Sequence, residues 1–131
     1  MQEFKVTSSE RSQLIDITAD VRRAVSASGI SEGRCLVFVP HTTAAVTINE
    51  GADPAVRHDI EYELDKLIPW AGGYAHAEGN SAAHIKTTLV GSSETIPVSA
   101  GRLVLGTWQA VYFCEFDGPR SRRVYVKVTA D

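Results

Sequence analysis

Apolar residues recur at two spacings along this chain, and the change from one to the other marks out its elements. Phe4 and Val6, then Ile15 and Ile17, alternate with polar neighbours on either side of Ser8-Ser9-Glu10-Arg11-Ser12, which predicts two strands joined as a hairpin. From Thr18 the spacing becomes helical. Val21, Ala24 and Val25 fall together, Thr18 is placed to cap, Asp20 sits where a carboxylate favours the helix dipole, and Gly29 supplies the stop. Cys35 to Val39 is apolar at every position, so the pattern predicts a central strand covered on both faces and ended by Pro40. In the next strand Val46, Ile48 and Glu50 share one parity, which puts a carboxylate on the core side and leaves Glu50 needing a partner.

Residues 53 to 68 carry the clearest helical stripe, Val56, Ile60, Leu64 and Leu67, with Asp53 as cap, Pro54 at the first position and Pro69 beyond the end. Asp59 and Glu63 flank that stripe and His58 points away from it. Trp70 to Gly79 reads as a glycine-rich loop. Asn80 or Ser81 then opens a short helix ending near Gly91, with Ala82, Ile85 and Leu89 inward and His84 outward; a strand over Ile85 to Val90 is the alternative. Thr95 to Val98, Leu103 to Leu105, Gln109 to Phe116 and Arg123 to Thr129 alternate apolar and polar residues between Ser-Ala-Gly and Asp-Gly-Pro turns, as antiparallel strands do.

A chain of 131 residues fits one domain, residues 1–131, and is too short for an eight-stranded α/β barrel. With 44% hydrophobic and 22% charged residues and a net charge of −3, it has no long-range attraction for nucleic acid or anionic lipid, so any anion site is local. No apolar run reaches membrane-spanning length and no charged-then-apolar leader opens the chain, which leads us to expect a cytoplasmic protein without nucleic-acid or membrane partners. Cys35 and Cys114 lie in apolar, β-rich stretches and read as reduced, inert thiols.

Chemistry gathers in three places. His41 follows a strand within His41-Thr42-Thr43-Ala44, and His76 and His84 bracket a small-residue segment; three imidazoles with a fourth position open describe a catalytic zinc-type site, against the plainer reading of isolated surface histidines. Lys86, Arg120, Arg122 and Arg123 supply cations, the last three at a Gly-Pro turn suited to phosphate or carboxylate; a hairpin tip is also where solvated charge sits, and an inward Glu115 would claim one of these arginines. Gly106 interrupts a strand beside Trp108 and Gln109, which predicts either a ligand gap or a bulge that curves the sheet. Asp59 and Glu63, one turn apart, repel unless a cation lies between them, and are otherwise a solvated acidic flank.

Taken together, His41-Thr42-Thr43-Ala44, Asn49-Glu50 with Asp53-Pro54, Arg57-His58-Asp59, Tyr74-x-His76 to His84-Ile85-Lys86, Gly106-Thr107-Trp108-Gln109 and Gly118-Pro119-Arg120-x-Arg122-Arg123 resemble the YjbQ-like family, named as secondary thiamine-phosphate synthases. The resemblance covers nearly the whole chain. It implies an α+β fold, a largely antiparallel β-sandwich with two to three helices, assembled as a homotrimer with the polar motifs near subunit boundaries. It further implies a metal-assisted transferase that couples an aminopyrimidine diphosphate to a thiazole phosphate and releases pyrophosphate. In that scheme His41, His76 and His84 hold a divalent metal, zinc or magnesium. Glu50, His58 and Asp59 are the catalytic residues, and Lys86, Gln109, Glu115, Arg120 and Arg122 bind the phosphorylated substrate. The competing expectations are a metal-dependent phosphate or ester hydrolase and a non-catalytic trimeric module that holds an ion or metabolite.

Overall fold

Residues 1–131, all described by a computed structural model, form eight strands and three helices divided between two antiparallel sheets. In chain order these are β1 (Gln2–Thr7), β2 (Gln13–Asp16), α1 (Thr18–Ser28), β3 (Gly33–Phe38), β4 (Ala44–Glu50), α2 (Pro54–Leu67), α3 (Ser81–Val90), β5 (Ser93–Ser99), β6 (Arg102–Leu103), β7 (Gln109–Glu115) and β8 (Ser121–Ala130). The larger sheet runs β1-β8-β3-β5-β6 and the smaller β2-β7-β4. No helix is long and apolar enough to cross a membrane.

The expected hairpin between the first two strands does not form. β1 pairs with β8 and β2 with β7, so residues 8–12 carry the chain from one sheet to the other. Hydrogen bonds to the 116–120 turn hold the crossing, from the Ser8 N–H to the Arg120 carbonyl and from the Gly118 N–H to the Arg11 carbonyl. Alternation located both strands but says nothing about which strand each one pairs with.

Between the sheets lies the main core: Val6, Cys35, Val37, Ile96, Val98, Val124 and Val126 from the larger sheet face Ala44, Val46, Val111 and Phe113 from the smaller, and α1 closes the side with Val21, Ala24 and Val25. α1 ends at Gly29, whose φ of 68° is the left-handed stop that glycine accepts. Thr18 does not cap the helix. Its hydroxyl donates to Asp16 and accepts from the Val111 N–H, tying α1 to β7.

A second, smaller core lies on the other face of β2-β7-β4, where Leu14, Ala45, Tyr112, Cys114 and Phe116 meet Ala83 of α3, with Ile60 and Leu64 of α2 and Trp70 at its margin. Asp53 caps α2 by accepting from the Ala55 N–H at 2.9 Å. None of the residues in α2 is fully buried.

Two expectations about coverage fail in the same way. β3 is a central strand, but only Cys35 and Val37 face the core; Leu36 and Phe38 stand 36% and 40% exposed on an outer sheet face that nothing in this chain covers. α3 turns Ala82, Ala83, Lys86 and Thr87 inward and leaves Ile85 and Leu89 exposed. Its small residues permit close approach to β4, and the larger apolar side chains are left on the open side. Gly106 forms neither a strand nor a bulge: the Gln109 N–H donates to the Gly106 carbonyl in a turn, and Trp108 is exposed.

Candidate functional site

Where β7 ends and β8 begins, an ion pair is sealed inside the protein. Glu115 is 0% and Arg122 3% exposed. Arg122 donates from Nε to Oε1 at 2.9 Å and from Nη2 to Oε2 at 2.5 Å; the Ser8 hydroxyl and the Asp117 N–H donate the remaining bonds to the carboxylate. The Arg122 Nη2 also reaches the Thr43 hydroxyl at 2.8 Å. Burial pushes the Glu115 carboxyl up, but the hydrogen bonds from Arg122, Ser8 and the Asp117 N–H outweigh it and hold it below the ordinary carboxylate range. Glu115 thus claims one of the arginines, and the Nε and Nη2 donors of Arg122 are committed to Glu115 and Thr43. Arg122 braces the site rather than opening onto it.

His41 stands over this pair. β3 ends at Phe38, opposite Tyr125, and two residues further on the Arg123 N–H has no β3 residue paired with it. The His41 ring takes that bond, its Nε2 accepting the Arg123 N–H at 3.0 Å. Burial first, then the positive charges of Arg122 and Arg120, lower its pKa against the pull of Glu115 and the Arg123 backbone. The neutral ring with Nε2 as acceptor carries its proton on Nδ1. That N–H has no partner in the chain.

Beside it, Asp117 gathers two donors on Oδ2: Arg120 Nη2 at 2.8 Å and Asn80 Nδ2 at 2.9 Å. The Asn80 Oδ1 is buried without a partner, as is the Thr87 hydroxyl. One helical turn along α3 from Asn80 lies His84, whose ring meets that of His76 edge-on with centroids 5.6 Å apart, and His76 Nε2 lies 3.8 Å from Glu78. Lys86 turns away. It is buried, pairs with Asp65 of α2 and lies 5.7 Å from the centre of the Phe116 ring.

The expected metal site does not assemble in this chain. No group of three His, Cys, Asp or Glu side chains is placed to hold a metal ion, and the Nε2 of His41 is already occupied by a backbone N–H. His76 and His84 form a pair, and His41 serves the strand ladder.

Glu50 and Gln109 lie at the other end of the smaller sheet. Glu50 faces Gln109 across the β4–β7 register, whereas Glu115 faces Ala44. Six residues of strand separate the two ends, about 20 Å at strand rise. Glu50 finds its partner locally, accepting the Ala52 N–H at 2.8 Å, and Gln109 accepts the Gly106 N–H at 2.7 Å. His58 and Asp59 are exposed on α2. Glu50 and Gln109 therefore lie far from the His41 and Arg120 end inside one chain, and no contact joins His58 or Asp59 to that end. On α2 the carboxylates that matter are not Asp59 and Glu63 but Glu61, which accepts the Leu14 N–H, and Asp65, which holds Lys86.

Three site residues escaped the sequence reading. Ser8 looked like one more polar turn residue, Asp117 like a turn former before glycine, and Asn80 like a helix start. Only the last carried a signal, an amide beside two histidines; the long-range contacts of Ser8 and Asp117 have none.

Fold and site together define a small α+β protein with two facing antiparallel sheets and a cluster of histidine, asparagine and arginine at one end. Residues 2–131 match the family described as UPF0047 protein YjbQ-like, and the chain belongs to that family. It is 49% identical over 128 residues to a UPF0047 protein of Methanocaldococcus jannaschii, covering 98% of this chain and 93% of that one. A crystal structure of an uncharacterised conserved YjbQ/UPF0047 protein from Clostridium acetobutylicum superposes with a TM-score of 0.97 at 54% identity, covering 98% of this chain and all of that one. A YbjQ-like protein of unknown function from Sulfolobus solfataricus gives a TM-score of 0.95 at 34% identity, covering 99% and 96%.

These findings correct the functional expectation. The relatives are described as UPF0047 proteins or as proteins of unknown function, not as thiamine-phosphate synthases or other enzymes. The expected transferase activity has no support among them, and the metal-assisted chemistry has no metal-binding set in the chain.

Proposed function

We propose that the chain is one protomer of a homotrimer that recognises a small molecule bearing a carboxylate or phosphate, seated over His41, Asn80 and Arg120. The observation that carries this reading is the Nδ1–H of His41, fixed by the bond from Arg123 to Nε2 and left without a protein acceptor in the field of Arg120 and Arg122. The buried, unpaired Oδ1 of Asn80 supports a ligand that also carries an N–H or O–H. Assembly is supported by Leu36 and Phe38, side by side in parity on the bare face of a central strand, and by an α2 that buries no residue.

Titration of ¹⁵N-labelled protein with acetate and with inorganic phosphate tests recognition. The Arg123 amide resonance shifts saturably with at least one anion in the wild type, and the response disappears in His41→Ala. An Arg123 amide unmoved by both anions overturns the reading. Light scattering tests assembly: the mass is three times the 14.2 kDa subunit, and Phe38→Lys lowers it. A wild-type monomer refutes the trimer.

A further inference from the structure

We infer that the cleft between α1 and the β5–β6 hairpin is a second anion site, taking a small dianion of the dicarboxylate or phosphomonoester type. Arg22, Val25 and Ser26 of α1 and Gly101, Arg102 and Leu103 of the hairpin line a cavity of about 400 Å³. That volume lies within the range of small-ligand pockets, roughly 300–1,000 Å³.

Charge identifies the occupant. Two guanidinium groups from separate elements line this space, no carboxylate does, and neither Arg22 nor Arg102 forms an ion pair or a side-chain hydrogen bond in the chain. Of the other arginines, Arg23, Arg120, Arg122 and Arg123 are ion-paired with Asp20, Asp117, Glu115 and Glu3, Arg11 and Arg57 lie over the Trp70 and Tyr112 rings, and Arg34 is unpaired. Like charges across a shared cavity repel, and an anion between them turns that repulsion into two forked, charge-assisted contacts. In a protein of net charge −3, such a site works locally.

The cleft also suggests the body of the ligand. Val25 and Leu103 give it apolar wall, and Arg22 additionally borders an adjoining cavity of about 270 Å³ edged by Thr107, Trp108 and Gln109. The one acid there, Asp16, is engaged by the hydroxyl and N–H of Thr18. A dianion held between Arg22 and Arg102 can extend past Arg22 toward the exposed indole of Trp108. This site is distinct from the His41–Arg120 cluster and does not depend on it.

Calorimetric titration with succinate and, separately, with inorganic phosphate tests the inference, using His41→Ala/Arg120→Gln protein so that the other cluster is silent. Saturable binding of at least one probe is expected, weakened at least tenfold by Arg102→Gln and by Arg22→Gln, two exposed positions whose replacement leaves the melting temperature unchanged. Succinate binding alone identifies a dicarboxylate site and phosphate binding alone a phosphate site. Absence of binding by both probes overturns the proposal, as does binding that survives both substitutions. A change in oligomeric mass on Arg102→Gln without a change in anion binding also overturns it, since the cleft would then hold a carboxylate of another copy.

Discussion

Arg122→Met tests the brace under the site most directly, because it removes one member of a sealed pair and leaves the other. Glu115 would keep the Ser8 hydroxyl and the Asp117 N–H but lose both guanidinium bonds, at a position with no exposure to water. Breaking a buried pair from one side costs about 3–5 kcal/mol at neutral pH. For a domain of this size that corresponds to a fall in melting temperature of roughly 10–20 °C. The pH dependence has a definite sign. In the wild type the folded Glu115 pKa is depressed, so its contribution is present above the unfolded carboxylate pKa and is lost as pH falls through the folded value. In Arg122→Met the strongest lowering influence is gone and burial prevails, so protonation relieves the variant. Wild type and variant therefore differ most at neutral pH and converge below the ordinary carboxylate value of 4.5. Calorimetric melting at pH 7 and pH 4 measures both effects. A variant that melts within about 3 °C of wild type at pH 7 would show that the pair does not brace the structure. Glu115→Leu with Arg122→Met should recover part of the loss, since no uncompensated charge stays buried; a double variant no better than the single one would contradict the charge argument.

Burial raises the Cys35 thiol to about 11 and the Cys114 thiol to about 12, so the folded protein should yield no reaction with an aromatic disulfide reagent at pH 8 and two equivalents once unfolded in urea. Prompt native-state labelling would contradict their burial. Gly118→Ala sets a methyl group 2.3 Å from the Glu10 carbonyl oxygen and 2.5 Å from the Ser8 hydroxyl, where the carbonyl belongs to backbone that cannot swing aside. It should destabilise by about 1–3 kcal/mol or more, and an unchanged urea midpoint would refute the close approach.

Element type was legible wherever the apolar period was unbroken. Asp53-Pro54 and the stripe to Leu64 gave α2 almost to the residue, and Gly29 gave the end of α1, because caps and periodicity are local. Pairing was not local. The Phe4 and Ile15 strands looked like a hairpin because the polar residues between them fit a turn, yet the same residues bridge two sheets through Ser8 and Arg11. The inward parity of Glu115 led to its arginine because a buried carboxylate must be paired, a physical demand that reaches beyond sequence neighbours. No such demand fixed the histidines: His41 takes the Arg123 N–H beyond the end of β3, which appears only once β3 and β8 are seen side by side.

β7 serves as a ruler for what one chain can do. Its last residue, Glu115, underlies the His41 and Arg120 end, and its first, Gln109, meets Glu50 at the other, about 20 Å away. A side chain spans about a third of that distance, so side chains at the two ends do not touch one another on one protomer. Glu50 with Gln109 and His41 with Arg120, one constellation in sequence, lie toward opposite ends of one small sheet. The uncovered Leu36 and Phe38 bear on the proposed trimer: Phe38 faces Tyr125, two residues from Arg123, so in that proposal a partner packed on this face would couple assembly to recognition at His41. A substitution that releases the protomers, such as Phe38→Lys, should therefore weaken anion recognition at His41 without touching the ring itself.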